Sequence, residues 1–347
     1  MSTAQSRGRT PTVAIDAMGG DLAPGVVIEG ALAACRDLGA RVLLVGPQAR
    51  LSKELAAGPA VEIVDAPDTV EMAEKVTRAT LKKRSSILVG LEQVRDGHAD
   101  AFFSAGNTAA CWTIARLVLG SLRGLDRPAL AAVVPHLSGR TVLLDVGANA
   151  SCKARQLEEF AVMGDVYTRA LFHLESPRIG LMSLGEEEGK GNELTREVHE
   201  VLKISGLHFI GNVEGGDVFS GRADVIVVDG FTGNVTLKAC ESLAASIIQL
   251  MREELSRNLL SRLGAWLSLP AFGRVRRRLD AAEYGGAPLL GVRGCCVVGH
   301  GHSNASAVKH GIRVASEFFA SGVNQQIETA LIGLAARREA ARPASAE

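Results

Sequence analysis

Short runs of β-branched and other apolar residues alternate along the chain with longer stretches in which apolar residues recur at helical spacing. The short runs predict strands at 12–16, 42–45, 62–64, 101–104, 141–145, 179–183, 208–211 and 225–229, several of them ending in a Gly/Asn/Asp-rich turn that leads into a helix. This rhythm predicts a mostly parallel sheet with helices on both faces, an α/β architecture. Parallel sheets hold ligands outside the carboxyl ends of their strands, so those turns are where chemistry is expected. No internal repeat is present.

One segment breaks the rhythm. From Leu243 to Leu263 apolar residues keep helical spacing, and Trp266, Leu267, Leu269, Pro270 and Phe272 follow, then Arg274, Arg276, Arg277 and Arg278. Between 255 and 279 there are six arginines and no acid. A core helix pair, a dimer interface, and an amphipathic hairpin that touches an anionic bilayer all fit this pattern.

Charge over the whole chain hides that local excess, because 38 Lys+Arg balance 38 Asp+Glu over 347 residues. Neutrality with 47% hydrophobic residues excludes a disordered chain and argues against a nucleic-acid binder. The six cysteines are scattered, without C-x-x-C or zinc spacing, which fits a reducing, cytoplasmic compartment. The first eleven residues have no apolar signal region and read as a flexible N-terminus. Residues 12–334 read as the α/β/α unit, with 243–279 as a helical protrusion and 335–347 as a flexible tail. No apolar run approaches the roughly 18–20 residues that a membrane-spanning helix needs.

Six turns carry chemistry-bearing residues. Asp16-Ala17-Met18-Gly19-Gly20-Asp21 ends the first strand, before a helix starting near Pro24. Paired glycines admit a ligand close to the backbone, and a helix N-terminus suits an anion, though a purely structural turn uses the same residues. Ser104-Ala105-Gly106-Asn107-Thr108 and Asp145-Val146-Gly147-Ala148-Asn149 offer side-chain donors or, equally, helix caps. In Gly185-Glu186-Glu187-Glu188-Gly189-Lys190-Gly191-Asn192, a Lys between glycines is free to reach a phosphate or an oxyanion. The spacing is one residue short of a P-loop, and Gly191 stands where Ser or Thr would hold magnesium. Asp229-Gly230-Phe231-Thr232-Gly233-Asn234 precedes a helix containing Lys238. Finally, the glycine-rich stretch 284–291 is followed by His300-Gly301-His302-Ser303, where His300 is a reserve acid/base candidate beside the structural alternative. There is no G-x-S-x-G elbow, no metal cluster and no cysteine placed as an activated nucleophile, so the nucleophile of any reaction arrives with the substrate.

These turns, in this order, resemble the phosphate acyltransferase (PlsX) family from about Val13 to about Ala320. The resemblance is carried by AIDAMGGDLAP from Ala14, SAGNTAA from Ser104, RPAL from Arg127, LDVGAN from Leu144, GEEEGKGN from Gly185, FIGNVEG from Phe209, VVDGFTGNVTLK from Val227 and YGGAPLLGV from Tyr284. Ala109, Val76 and Ser151 depart from the common pattern, which has Gly, Pro and Asp there. The resemblance implies a three-layer α/β/α Rossmann-like sandwich related to isocitrate and isopropylmalate dehydrogenases, and a homodimer. It implies acyl transfer from acyl-[acyl-carrier-protein] to inorganic phosphate for phospholipid synthesis, with no cofactor. Lys190 and Asn234 match the family's catalytic Lys and Asn. Asp16, Gly19, Gly20, Asp21, Asn107, Thr108, Asn149, Asn192, Asp229, Thr232, Gly233 and His300 complete the expected substrate site. The acidic carrier protein is expected to meet Lys82, Lys83 and Arg84, or the Arg274–Arg278 cluster, and 255–279 to give peripheral contact with the inner face of the cell membrane. Alternatives are a short-chain acyl-CoA:phosphate transferase, a nicotinamide-dependent decarboxylating dehydrogenase on a related fold, and a membrane-associated scaffold.

Overall fold

The computed structural model describes residues 10–55, 61–136, 138–279 and 285–340, with the side chains of 275–279 and 340 left aside. Eleven strands form one sheet among the described residues: β1 (Thr12–Asp16), β2 (Arg41–Gly46), β3 (Val61–Asp65), β4 (Ala101–Ser104), β5 (Ala129–His136), β6 (Gly139–Leu144), β7 (Ile179–Met182), β8 (Phe209–Val213), β9 (Val225–Val227), β10 (Ala287–Leu290) and β11 (Cys295–Val298). Their order is β3-β2-β1-β4-β11-β10-β5-β6-β9-β7-β8. The first five are parallel to one another, and so are the last four. Between them β10 and β5 pair antiparallel with each other and with their outer neighbours, so the two parallel halves run in opposite senses.

Strand alternation builds two cores, one on each face of the sheet. Val13, Ile15, Phe103, Leu144 and Val297 point into one, while Ala14, Phe102, Leu143 and Cys296 point into the other. Helices α1 (Gly25–Leu38), α2 (Gln48–Glu54), α5 (Ala154–Phe172), α6 (Glu193–Lys203), α9 (Ala305–Ala320) and α10 (Val323–Ala340) cover the first face. On the second face lie α3 (Ser86–Arg95) and α4 (Thr108–Val118). This is the three-layer sandwich expected from the alternation of strands and helices. The small Gly30 and Gly311 let α1, α9 and the sheet approach closely: a Cβ on Gly30 would stand 2.6 Å from the Ala305 carbonyl oxygen.

Residues 335–340, expected in a flexible tail, belong to α10, and residues 341–347 lie outside the described ones, as do 1–9. Arg338 is the physical reason: its guanidinium binds the nearly buried carboxylates of Glu158 and Glu159 on α5, tying the end of α10 to the body.

The protrusion consists of α7 (Gly230–Ser256) and α8 (Leu259–Leu279), which pack on each other. Pro270 lies inside α8. Leu243, Leu250, Leu259, Leu260, Leu263, Trp266, Leu267 and Leu269 are all exposed, so a core helix pair is not what this segment forms within one chain. No described helix is long and apolar enough to cross a membrane.

Candidate active site

The turns after β1, β4 and β11 form one cluster. Asp16 is buried at its centre, where its carboxylate accepts from the Ser104 hydroxyl at 2.7 Å and the Met18 N–H at 3.1 Å. Burial pushes its pKa up, against the opposing hydrogen bonds from Ser86 and Ser104. Gly19 is a glycine of necessity: a Cβ there would stand 2.7 Å from the Gly106 nitrogen. Gly299 donates to the Ser104 carbonyl at 2.7 Å, and Asp21 donates to the Gly301 carbonyl at 2.9 Å, which draws His300 and His302 into the cluster. His302 then pairs with Asp21 at 2.6 Å. Gly20, at φ 105°, sits beneath Gly301.

Asn107 and Thr108 divide into two roles. Asn107 is buried; its oxygen caps α4 through the Ala110 N–H, and its amide donates to the carbonyls of Glu71, Met72 and Glu74 at 3.2, 3.1 and 2.9 Å. With all these groups engaged, Asn107 holds a loop and has no donor to offer a ligand. Thr108, exposed in the first turn of α4, keeps its hydroxyl without a partner among the described residues. With the Ala110 N–H taken by the Asn107 cap, the N–H groups of Thr108 and Ala109 are the first-turn donors without an intrahelical acceptor, which suits an anion.

A second cluster stands at the carboxyl ends of β6, β9 and β7. Asp145 is fully buried and accepts from the N–H groups of Leu130, Gly147, Ala148 and Asn149 and from the Asn149 amide. Burial raises its pKa in spite of those donors. It organises the turn rather than meeting a ligand. Asn149 is likewise buried, its amide donating to Pro128 and Asp145 while its Oδ1 has no partner. Asp229 caps α7 by accepting from Phe231, Thr232 and the Thr232 hydroxyl. Asn192 caps α6 through the Thr195 N–H at 2.9 Å. At Asp16, Asn107, Asp145 and Asp229, then, the polar side chains build the turns. Gly233 packs so tightly that any Cβ there collides with the Asp145 carbonyl oxygen.

What remains uncommitted is a short set of donors. Asn234, half-buried near the start of α7, lies beside Gly147, and its side chain carries no hydrogen bond among the described residues. Lys190 is exposed, its backbone fixed by N–H donation to the Glu187 carbonyl and by the Ser183 hydroxyl donating to its own carbonyl, with its ammonium unpaired among the described residues. The three neighbouring glutamates are not a free run. Glu186 pairs with Arg222, Glu188 pairs with Lys203 at 2.9 Å, and the Glu187 carbonyl accepts from Asn212 at 2.9 Å. The loop that carries Lys190 is thus anchored through the carboxylates of Glu186 and Glu188 and the backbone of Glu187. Thr236 contacts the Met182 sulfur at 3.9 Å, which places the flank of α7 against the end of β7, from which the Lys190 loop springs.

Helix α7 links the two clusters. Glu241 faces His300 at 4.0 Å, seven residues beyond Asn234. His300 also accepts the His302 N–H on its Nδ1 at 3.2 Å, so it lies across the gap from the helix that carries Asn234. Sequence spacing could have exposed this relation, since 234, 238 and 241 fall on one helical stripe. Exposed apolar side chains flank both uncommitted donors: Leu184 (84% exposed) before the Lys190 loop and Phe231 (66%) before Asn234.

Cysteine chemistry is absent from this arrangement. Burial pushes Cys111, Cys152 and Cys295 up to about 12, so none is a thiolate near neutral pH. Folding does bring Glu188, His199 and Glu200 within 4.8 Å of one another, a grouping that sequence spacing did not reveal. Within this grouping Glu188 pairs with Lys203 at 2.9 Å and faces His199 at 3.8 Å. Of the two basic patches expected to meet a carrier protein, Lys83 is spent on Glu74 and the Thr69 carbonyl. In the other, Arg274 is described, and the side chains of Arg276, Arg277 and Arg278 lie outside the described ones.

The fold is that of phosphotransacetylases and of a phosphate-ester dehydrogenase. The phosphotransacetylase of Streptococcus pyogenes superposes with a TM-score of 0.61 at 18% identity, covering 89% of this chain and 94% of that one. The 4-hydroxythreonine-4-phosphate dehydrogenase of Klebsiella pneumoniae superposes at 0.51 and 13% identity, over 90% of this chain and 100% of its own. Residues 11–326 match the model of the family described as Fatty acid synthesis protein, and the chain belongs to that family. A protein named phosphate acyltransferase from Acidobacterium capsulatum is 52% identical over 322 residues, covering 91% of this chain and 96% of that protein. Another of the same name, from Aquifex aeolicus, is 43% identical over 320 residues, covering 91% and 95%.

Proposed function

We propose that this chain is a phosphate acyltransferase, moving a fatty acyl group from acyl-[acyl-carrier-protein] to inorganic phosphate. The observation that carries the assignment of residues is the pair of uncommitted donors, Lys190 on the loop after β7 and Asn234 near the start of α7 after β9, beyond the carboxyl ends of two parallel strands. A phosphate oxygen attacks the thioester carbonyl carbon. The tetrahedral oxyanion collapses, the C–S bond breaks, and the thiolate leaves and takes a proton from solvent. Phosphate is an anionic nucleophile near neutral pH, and a thiol of pKa about 8.5 leaves without strong acid help. The protein's work is positioning and charge stabilisation. Lys190 and Asn234 bind phosphate or the developing oxyanion, with the Thr108 hydroxyl and the first-turn amides of α4 completing the cradle. Gly19, Gly20 and Gly233 allow the close backbone packing behind it. No step calls on a buried carboxylate or a cysteine. The test is phosphate-dependent release of free carrier thiol by the purified protein; release that is independent of phosphate contradicts the proposal.

The α7–α8 hairpin supports a homodimer interface with peripheral contact to an anionic membrane. Its exposed Leu259, Leu260, Leu263, Trp266 and Leu267 supply apolar area, and Arg262 and Arg274 lie on the same helix. Each cation near an anionic surface contributes on the order of 1 kcal/mol. Flotation with anionic liposomes tests the contact. Binding that is lost when Trp266 and Leu267 are made polar supports it, and equal binding by that variant overturns it.

A further inference from the structure

Resting on that proposed reaction, we propose that Lys238 is a second phosphate-binding cation of the same site. The argument begins with the geometry of α7. Residues four and seven apart on a helix share one face, so Asn234, Lys238 and Glu241 form a stripe. The two ends of that stripe are fixed by contacts: Asn234 lies against Gly147, and Glu241 faces His300 at 4.0 Å. Lys238 therefore stands between them, on the side of α7 turned toward the turns of β1, β4 and β11. Helical side chains lean toward the N-terminus of their helix, over the preceding turn. The Lys238 stem thus extends toward Asn234, about 6 Å away along the axis at four residues of 1.5 Å each.

Charge makes the second part of the argument. Lys238 is exposed and has no ion pair or hydrogen bond among the described residues. Glu241, one turn further on, is directed at His300 and does not neutralise it, and Asp21 is held by His302 at 2.6 Å. A phosphate group near neutral pH carries roughly −1.5 to −2 charges, more than Lys190 alone balances. Neither Lys190, on the loop after β7, nor Lys238, on α7, has an ion pair among the described residues, and Thr236 against Met182 at 3.9 Å brings the flank of α7 to the end of β7 from which the Lys190 loop springs. A dianion held between them is matched in charge and is gripped from both flanks of the α7 N-terminus. Inorganic phosphate fits that charge match, whereas a phosphodiester on a carrier's prosthetic arm offers the same anionic oxygens with a single charge, so the test has separate arms for the two.

Steady-state kinetics of Lys238→Met and Lys238→Arg separate these sources. Lys238→Met raises KM for inorganic phosphate at least tenfold, leaves KM for the acyl-carrier thioester within twofold, and Lys238→Arg recovers most of the loss. Inorganic phosphate raises the melting temperature of the wild type and fails to do so for Lys238→Met, a linkage that a purely structural lysine would not abolish. An unchanged KM for phosphate, or a rise confined to the thioester, overturns the assignment. Absence of phosphate-dependent turnover in the wild type would instead overturn the proposed reaction itself.

Discussion

The Asn234 side chain lies 3.6 Å from the point where a Cβ on Gly147 would stand, and Gly147 holds a φ of 132° that only glycine adopts without strain. The turn after β6 therefore packs against the Asn234 amide on α7. Gly147→Ala introduces strain of about 1–3 kcal/mol and a methyl group against the amide. Its expected outcome is a melting temperature lower by several degrees together with a fall in turnover. Asn234→Ala, by contrast, removes no side-chain hydrogen bond among the described residues. It should leave the melting temperature within a degree or two while turnover falls roughly a hundredfold to a thousandfold. Parallel thermal melts and turnover assays separate the two effects.

Asn107 and Thr108 are adjacent but do opposite work. Asn107→Ala leaves the carbonyls of Glu71, Met72 and Glu74 without their donor and strips the cap from α4. A loss on the order of 2 kcal/mol in stability is expected, readable as a lower urea midpoint with unchanged slope. Thr108→Ala should leave the urea midpoint in place and lower turnover. Equal destabilisation by both variants would show that the two side chains were assigned the wrong way round.

Acid sensitivity follows from Asp224. Burial pushes its carboxyl up, but side-chain and backbone hydrogen bonds from Arg178, at 3.0, 2.9 and 2.8 Å, more than offset that and leave its pKa lowered. Because the folded value is depressed, the stabilisation is complete above the unfolded carboxylate range, at about pH 4, and is lost as pH falls through the folded value. Asp224→Asn should therefore cost stability at pH 7 and shrink toward no effect in strong acid. Denaturant titrations at a series of pH values check the sign. A difference between variant and wild type that grows below pH 4 contradicts it.

Most of the parallel sheet was legible because its strands are short apolar runs followed by helices. The runs at 12–16 and 101–104 coincide with β1 and β4, and the other six overlap their strands with boundaries shifted by one to two residues. Strands β5, β10 and β11 were not foreseen. Ala129–His136 starts inside the RPAL motif and contains Pro135, Ala287–Leu290 lies in a glycine-rich stretch with Pro288, and Cys295–Val298 is only four residues long. These three supply the antiparallel join and its flank, where long-range pairing rather than local pattern decides the structure. At the site, the glycine-rich turns could be read because ligand-side turns need specific residues. The use of Asn107 could not, since its three carbonyl partners lie 33–36 residues away. The stripe from Asn234 through Lys238 to Glu241 was present in the spacing, and its meaning appeared only when Glu241 met His300.

Transfer of labelled inorganic phosphate into acyl-phosphate tests the central claim most directly. With acyl-[acyl-carrier-protein] as donor, the purified protein should form labelled acyl-phosphate and free carrier thiol in equal amounts, and Lys190→Ala, with its melting temperature unchanged, should form about a hundredfold less. Thiol release without label in the acyl product, or a Lys190→Ala protein as active as the wild type, would contradict the account.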